Sequence, residues 1–283
     1  MRTLSHLLSR FAIPIIVGIC LLAVLNQKWS KNQWKYTIIS DGKGYYAYLP
    51  AVFIYGDLNL AFHDSIENKY YDNHTKYEYR VPIHGVIINK YFAGVSVMQM
   101  PFFLIAHGIT KISGGEADGY SMWYPRMMNI GALFWLAVGL IFLRRFLKLH
   151  KFKEELIAFT LFAFVFGTNL FYYTITEPMM SHLYSFAVVS MFLFFGKQWV
   201  DKKENRYANI AALLLGMIIL VRPVNALIGF WLIFEADGIR NLVRLKTDYL
   251  KSGYRVMIGI LLLILPVFIQ LLIWKLQTGH WYV

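Results

Sequence analysis

Long apolar runs separated by short polar connections dominate this chain. A helix needs about 20 mainly apolar residues to cross the hydrocarbon core of a bilayer. Eight candidate runs occupy residues 7–25, 91–110, 127–147, 156–175, 179–199, 208–221, 224–236 and 256–274. The pattern predicts an all-α fold, a polytopic bundle of transmembrane helices that forms a single integral membrane domain over residues 1–283.

The first run begins close to Arg2 and Arg10 and is interpreted as a membrane anchor. A cleaved signal peptide is the alternative, but no small-residue cleavage motif follows residues 7–25. We therefore expect an uncleaved first helix whose N-terminus lies in the cytoplasm.

Composition agrees with a membrane protein. The chain is 58% apolar and only 16% charged, whereas soluble domains contain about 45–50% apolar and about 25% charged residues. A chain this apolar does not stay disordered in water either. Its single cysteine, Cys20, excludes an internal disulfide and any cysteine-based metal cluster.

The formal charge of +12 is mainly a signal of membrane orientation. Basic residues concentrate before the first run and in three short connections, and we see no basic and aromatic patch that would bind nucleic acid. They are Arg2, Arg10, Arg144, Arg145, Lys148, Lys151, Lys153, Lys197, Lys202, Lys203, Arg206, Arg240, Arg244, Lys246, Lys251 and Arg255. Because short cytoplasmic loops are enriched in Lys and Arg, all three connections should share one side with the N-terminus.

Eight crossings conflict with that rule, because they would place the connection at 144–153 outside. The conflict disappears if 91–110 does not cross, and its Gln99, Pro101 and His107 fit a re-entrant or interfacial helix. We therefore predict about seven spans. The arrangement is a first span at 7–25, an extracytoplasmic loop over 26–125 with juxtamembrane helices near 45–56 and 91–110, and six further spans over 126–275.

The two shortest runs, 208–221 and 224–236, admit two interpretations. One kinked helix would bury Arg222 in the membrane and move the basic connection at 240–255 outside, and both consequences are costly. We favour a tight hairpin with Arg222 near the outer surface.

The first polar groups with chemical potential follow the first span. Asp41 lies between small residues and leads into an aromatic stretch that contains Tyr45 and Tyr46. We expect this stretch to lie along the membrane surface, with its tyrosines at the headgroup level. Asp41 is a candidate general base, and it is equally suited to cap a helix. Lys43, Arg80 and Lys90 are weaker candidates for binding a phosphate.

Further candidates lie where the predicted outer loops meet the membrane. Arg126 precedes a Gly/Ala-rich span, Glu177 and His182 flank the start of another, and Arg222 and Asn225 lie in the predicted outer turn. Ionisable groups at such positions are functional candidates by default. The plain alternatives are that the arginines anchor the helices at the interface and that Glu177 merely favours a helix start through the dipole.

The order of these features resembles the N-terminal half of GT-C-type membrane glycosyltransferases, which include protein O-mannosyltransferases and lipid A aminoarabinose transferases. The resemblance covers roughly residues 7–240 and rests on Asp41 after the first helix, a Pro-led apolar segment at 100–106, and Arg126 before a Gly/Ala-rich span. The motifs are short. Gly42 follows Asp41 where the family usually carries a second acidic residue, and Pro101 is the only proline of the usual pair.

The resemblance implies an enzyme that moves a hexosyl or pentosyl group from a polyprenyl-phosphate-linked donor to an acceptor at the outer face of the membrane. It implies that Asp41 acts at the acceptor or binds a divalent metal ion, that Glu177 matches the acidic residue of the second outer loop, and that Arg126 is the functional arginine. The residues expected to bind substrate or phosphate are Arg126, Arg222, Lys43, Tyr45, Tyr46, His182 and Asn225. Membrane lipid is the other expected partner, and the location would be the plasma (inner) membrane in a bacterium.

Family members usually carry more helices, so this chain is expected to be an N-terminal portion or a minimal form. Two other functions stay open, a transporter of a lipid-linked glycan or small molecule and a non-catalytic membrane assembly component. A transporter predicts inverted repeats and ionisable groups near the membrane midplane, whereas Asp41, Arg126 and Glu177 map to the outer interface. The histidines of the outer loop, His63, His74 and His84, have no convincing metal-ligand spacing.

Overall fold

The computed structural model of the protein describes residues 2–83, 85–251 and 253–283, with side chains from residue 11 onward except 245–248. His84 and the side chains of Arg2, Arg10 and Lys246, which entered the sequence argument, lie outside the described part. Of the described chain 73% is helical and 3% is strand. The predicted helical class is therefore confirmed in outline.

The described chain contains twelve α-helices. They are α1 (Arg2–Gln27), α2 (Asp41–Pro50), α3 (His63–Tyr70), α4 (Gly94–Ile112), α5 (Trp123–Leu149), α6 (Glu154–Phe166), α7 (Leu170–Ile175), α8 (Ser181–Lys202), α9 (Asn205–Val221), α10 (Trp231–Glu235), α11 (Ile239–Leu250) and α12 (Tyr254–Thr278). The shorter elements are two 3₁₀ segments (Gln33–Tyr36 and Pro223–Phe230), a π turn (Ala51–Tyr55) and two strands, β1 (Arg80–Ile83) and β2 (Val86–Asn89). The strands pair in an antiparallel hairpin with Arg80 opposite Asn89, an element that the sequence did not predict.

Four of these helices, α4, α5, α8 and α12, are long and apolar enough to cross a membrane. Three further apolar stretches are shorter, at Phe11–Gln27, Asn205–Val221 and Pro223–Glu235. The predicted run at 156–175 is divided between α6 and α7 by a bend at residues 167–169. Length and composition thus support a membrane protein with several membrane helices.

The helices pack as a bundle in which α5 lies against α8, α8 against α9, and α9 against α12. α1 packs on the other side, against α5 and α6. The closest approach between α9 and α12 is at Gly216, where an added Cβ would lie 2.3 Å from the carbonyl oxygen of Leu263. Only glycine fits this crossing, because backbone atoms cannot move aside as a side chain can.

One end of the bundle carries the α5–α6 and α8–α9 connections and α11, and we call it the basic end. Glu235, the last residue of α10, identifies it, because its carboxylate pairs with Lys197 Nζ at 2.8 Å and His150 Nε2 at 3.4 Å. Since α9 begins beside the end of α8, the chain from 205 to 235 leaves the basic end and returns to it. Arg222, in extended conformation (φ −161°, ψ 108°), forms the turn. The hairpin interpretation therefore describes this segment, and one kinked helix does not.

The other end of the bundle, which we call the site end, is covered by the folded loop between α1 and α5. Contrary to expectation, the aromatic stretch does not lie along a membrane surface, since Tyr45, Tyr46 and Tyr48 of α2 are 8%, 0% and 4% exposed. Helix α2 is buried along its length because α4 and the β-hairpin pack around it, and exposure begins only at Val52 in the π turn.

Two hydrogen-bond contacts fix the direction of α4 and place it beside the first half of α5. Trp135 Nε1 of α5 donates to the carbonyl of Met98 at 2.9 Å, and His107 Nδ1 lies 2.6 Å from the hydroxyl of Tyr124. The two helices are therefore antiparallel. α4 begins about halfway along α5 and ends beside its first turn.

Candidate active site

Asp41 is the first residue of α2 and lies at the site end. Its Oδ1 accepts a hydrogen bond from the hydroxyl of Tyr77 at 2.5 Å, and that hydroxyl lies 2.6 Å from the hydroxyl of Tyr91. The cap residue of α2 is Ser40, at φ 51°, and no side chain caps the helix. Asp41 therefore is not the helix cap, and its carboxylate faces a group of phenols.

Two tyrosines near Asp41, Tyr91 and Tyr45, are held in their protonated form. Burial raises the pKa of Tyr91, and hydrogen bonds to Asp41 and Tyr77 raise it further. Burial also raises the pKa of Tyr45, whose ring centroid is 4.6 Å from that of Tyr91. Lys90 adds a positive charge, with Nζ 4.7 Å from the ring centroid of Tyr77. The carboxylate thus faces proton donors and a nearby cation.

The connection between α7 and α8 forms the opposite wall of the site. Gly42 packs against it so closely that an added Cβ would lie 3.1 Å from Cβ of Met179. Ser181, in the first turn of α8, lies near Tyr45, and its side chain opposes the rise in the pKa of Tyr45. Glycine after Asp41 therefore has a structural reason, since it allows the start of α2 to approach this connection.

His182 and Arg222 complete the cluster. The exposed imidazole of His182 stacks on Tyr173, with ring centroids 4.4 Å apart, and lies within electrostatic range of Arg222, Asp41 and Glu177. The side chain of Arg222 is exposed and has no carboxylate within 4 Å among the described side chains.

The position of Arg222 follows from the packing around it. Asn225 Nδ2 donates to Ser185 Oγ of α8 at 2.8 Å, which holds the turn after α9. On the other side, an added Cβ at Gly94 would lie 2.5 Å from the backbone nitrogen of Val221. Asn225 therefore positions the turn, and no described contact joins it to Asp41.

Glu177 belongs to the site, and no described contact joins it to Asp41. Its carboxylate accepts a hydrogen bond from the hydroxyl of Tyr172 at 2.9 Å and interacts with the charge of Lys28. Arg126 lies beyond it, where Nη2 donates to the carbonyl of Trp29 at 3.0 Å. The guanidinium is flanked by the indoles of Trp29 and Trp123, with ring centroids at 5.4 and 5.6 Å. No described contact joins Arg126 to Asp41.

Two sequence candidates lie outside the site. Lys43 is buried, and its Nζ lies 2.8 Å from each carboxylate oxygen of Glu67 and 2.7 Å from the carbonyl of Thr75. Burial lowers its pKa, and the contact with Glu67 opposes this effect. The hydroxyl of the fully buried Tyr46 donates to the carbonyl of Gly119. Both side chains hold the outer loop together, and neither is free to bind a phosphate.

Three functional candidates, Tyr77, Tyr91 and Ser181, were not predicted from the sequence, whereas Lys90 was a weaker candidate there. Tyr77 reaches Asp41 across 36 residues of chain, so no local spacing could reveal it. Asn89, next to Lys90, donates through Nδ2 to the carbonyl of Gly44 at 2.7 Å. This bond between β2 and α2 brings the tyrosines to the carboxylate.

The groups around Asp41 do not fit a divalent metal ion. Its nearest partners are phenols with an amino group over their rings, whereas Mg²⁺ and Ca²⁺ need several oxygen ligands, usually including more than one carboxylate. In the described part of the chain, no group of three or more His, Cys, Asp or Glu side chains could hold a metal. No step below uses a metal ion.

An apolar cleft opens beside the cluster, between the β-hairpin and the end of α12. It has a volume of about 280 Å³ and is lined by Lys90 and Tyr91 together with Ile88, Phe92 and Trp274. A ligand in this cleft would place a polar end near Lys90 and an apolar part against the aromatic residues.

Comparison with known proteins adds no assignment to this geometry. No protein-family model, curated protein or solved structure matches this chain. The resemblance to GT-C enzymes therefore rests on the sequence features alone.

Proposed function

We propose that the protein is a membrane glycosyltransferase of the GT-C type, which transfers a sugar from a polyprenyl-phosphate donor to an acceptor at the site end of the bundle. One observation carries the proposal. Tyr45 and His182 each lie within electrostatic range of both Asp41, a partly exposed carboxylate, and the exposed cationic side chain of Arg222. A carboxylate near a cation with no carboxylate partner suits a reaction that removes a proton and releases a phosphate.

The proposed reaction is an inverting displacement. The acceptor hydroxyl loses its proton to the Asp41 carboxylate while its oxygen attacks the anomeric carbon. The bond between that carbon and the phosphate oxygen breaks, and the polyprenyl phosphate leaves with the electron pair. Arg222 is the residue suited to hold this phosphate, because a guanidinium donates two parallel hydrogen bonds to it. Glu177 and Arg126 have no described contact with Asp41 and are assigned to the acceptor side.

The apolar cleft supports a lipid-linked donor. A polyprenyl chain needs an apolar surface that leads away from the reacting phosphate, and the cleft meets the cluster at Tyr91 and Lys90. Aromatic side chains such as Tyr45 can also stack on a sugar ring. The cleft therefore provides an apolar wall next to charged groups, as expected for the binding site of an amphiphilic substrate.

The proposal includes a topology of about seven spans with a cytoplasmic N-terminus, and the inner membrane as the location in a bacterium. Three features support it. The basic connections lie at one end of the bundle, the segment 205–235 is a hairpin, and α4 lies beside only the first half of α5. In this topology the site end faces outward and α4 is a non-crossing helix.

The test compares Asp41→Asn with Arg222→Gln in membranes and in purified protein. A panel of polyprenyl-phosphate monosaccharides, labelled in the sugar, is assayed for transfer to acceptors in the native membrane and for binding to the purified protein. We expect Asp41→Asn to lose transfer by about 10²–10⁴-fold, the usual contribution of a general base, and to keep donor binding. Arg222→Gln should weaken donor binding.

Glu116→Gln is the matched control, because Glu116 is an exposed carboxylate of the same loop that pairs with Lys69 away from the cluster. The proposal would be refuted if Asp41→Asn transferred sugar at the wild-type rate. It would also be refuted if no donor of the panel bound the wild-type protein. Donor binding without any transfer by the wild-type protein would favour a transporter.

A further inference from the structure

The basic end of the bundle contains two adjacent cavities that the proposed activity does not use. The first, of about 240 Å³, is almost entirely apolar and is lined by residues of α8, α9, α11 and α12. The second, of about 470 Å³, is polar and lies where α9 and α12 begin. Both are far along the bundle from Asp41, since they adjoin the ends of the helices opposite to the site end.

The two cavities lie next to each other along α9 and α12, and we call them together the groove. Ala208 and Gly259 line the apolar cavity, and the residues next to them in the chain, Asn209 and Ile258, line the polar cavity. The boundary is a hydrogen bond from the hydroxyl of Tyr249 to Oδ1 of Asn209. The groove therefore changes from apolar to polar over one helical turn.

The wall of the polar cavity carries more positive than negative side chains. Lys203, Arg206 and Arg255 contribute to its wall, whereas Glu204 is the one carboxylate there and pairs with Arg206 at 2.6 Å. Lys203 and Arg255 have no carboxylate within 4 Å among the described side chains. Two cations are thus available to a ligand.

The neighbouring helix α11 indicates where this groove lies relative to a membrane. It is amphipathic, with exposed apolar residues at Ile239, Val243 and Leu250 and exposed arginines at 240 and 244. A basic amphipathic helix lies in the plane of a membrane surface with its apolar face towards the acyl chains. The polar cavity is then at headgroup depth and the apolar cavity at acyl-chain depth.

We propose that this groove binds an anionic glycerophospholipid of the cytoplasmic leaflet, with the headgroup phosphate at Lys203 and Arg255 and an acyl chain in the apolar cavity. The order of polar and apolar walls matches the order of headgroup and acyl chain. The excess of cations selects an anionic headgroup over a zwitterionic one, because each Lys or Arg near such a headgroup is expected to add roughly a fivefold preference.

Trp199 lines the apolar cavity and provides the assay. The protein is reconstituted in phosphatidylcholine nanodiscs that contain a small, equal fraction of either dibrominated phosphatidylglycerol or dibrominated phosphatidylcholine. Bromine on the acyl chain quenches nearby tryptophan fluorescence, and the difference between wild type and Trp199→Phe gives the quenching of Trp199 alone. We expect brominated phosphatidylglycerol to quench Trp199 at roughly 10- to 30-fold lower mole fraction than brominated phosphatidylcholine, from two cations.

Two variants test the two halves of the groove. In Lys203→Gln/Arg255→Gln, brominated phosphatidylglycerol should quench Trp199 only as strongly as brominated phosphatidylcholine does. Ala212→Phe, which fills the apolar cavity and keeps both cations, should reduce quenching by both lipids. Arg145→Gln, an exposed arginine on α5 outside the groove, is the control and should behave as wild type.

Equal quenching of wild-type Trp199 by the two brominated lipids would overturn the proposal. So would an unchanged preference in the Lys203→Gln/Arg255→Gln variant or unchanged quenching in Ala212→Phe, provided that each variant keeps the thermal stability of wild type. Glycosyl transfer is not measured in this experiment, so its outcome is independent of the proposed activity.

Discussion

Lys43 gives the sharpest test of whether a buried cation of the outer loop stabilises the fold or binds a substrate. Its side chain and that of Glu67 are 2% and 7% exposed, and Nζ lies 2.8 Å from each carboxylate oxygen. Lys43→Met would leave the carboxylate buried without its partner. Breaking a buried pair in this way costs about 3–5 kcal/mol. At about 2–4 °C per kcal/mol, we expect the melting temperature to fall by roughly 6–20 °C.

The second substitution of a double-mutant cycle decides the cause. Lys43→Met/Glu67→Leu removes the stranded charge, and replacing a whole buried pair by apolar residues is often nearly neutral. We therefore expect the double variant to melt well above Lys43→Met. Thermal melting of the purified protein, followed by tryptophan fluorescence, measures all variants. Lys76→Met is the control, since Lys76 is exposed in the same loop and binds only Asn68 Oδ1 in the described contacts.

The structural role of Lys43 would be refuted by a Lys43→Met variant that melts within about 2 °C of wild type, the shift expected from less than 1 kcal/mol. It would also be refuted if the double variant, folded and stable, bound donor much more weakly than wild type. That result would return Lys43 to the phosphate-binding residues.

Two further predictions concern packing and pH. Gly94→Ala should lower the melting temperature through overpacking of about 1–3 kcal/mol, because its Cβ would meet backbone atoms of α9 at 2.5 Å; Gly18→Ala, with open space around it, should not. The free energy of unfolding should also fall in acid. Hydrogen bonds from His63 and Arg80 hold the pKa of Asp64 below 3.8. Arg80 also holds the pKa of Glu78 below 4.5. Because the unfolded carboxylates bind protons at higher pH than the folded ones, this stabilisation is present above pH 4.5 and is lost as pH falls, so melting curves from pH 6 to 3 should show a shallower acid limb for Arg80→Gln.

Apolar periodicity was sufficient to locate the long helices. The runs predicted at 127–147, 179–199 and 256–274 correspond to α5, α8 and α12, and each helix extends a few residues beyond its run. The extensions are mostly polar or aromatic residues, which a hydropathy pattern counts weakly or not at all. The basic connections likewise indicated the hairpin at 205–235, because charge disfavours burial of Arg222 whatever the details of packing.

The outer loop was harder to predict, because its contacts join residues that are distant in sequence. The tyrosines of α2 resemble a membrane-surface stretch, yet Tyr46 is buried against Phe103 and Tyr120. Likewise, Tyr77 approaches Asp41 only because the β-hairpin brings it there. Tertiary packing, which no short pattern encodes, therefore decides which polar residues of this loop are structural.

The structural charges differ from the candidate catalytic ones in whether they already have hydrogen-bonding or ionic partners. Lys43 is buried and has three oxygen contacts within 2.8 Å, so a ligand would have to displace an existing partner and pay for exposing Glu67. Arg222 is exposed and has no carboxylate partner within 4 Å among the described side chains, so an incoming phosphate replaces only water. Both cations belong to the same end of the molecule, and their sequence contexts do not distinguish them. The free energy of binding an anion therefore favours Arg222, which acts on His182 together with Asp41.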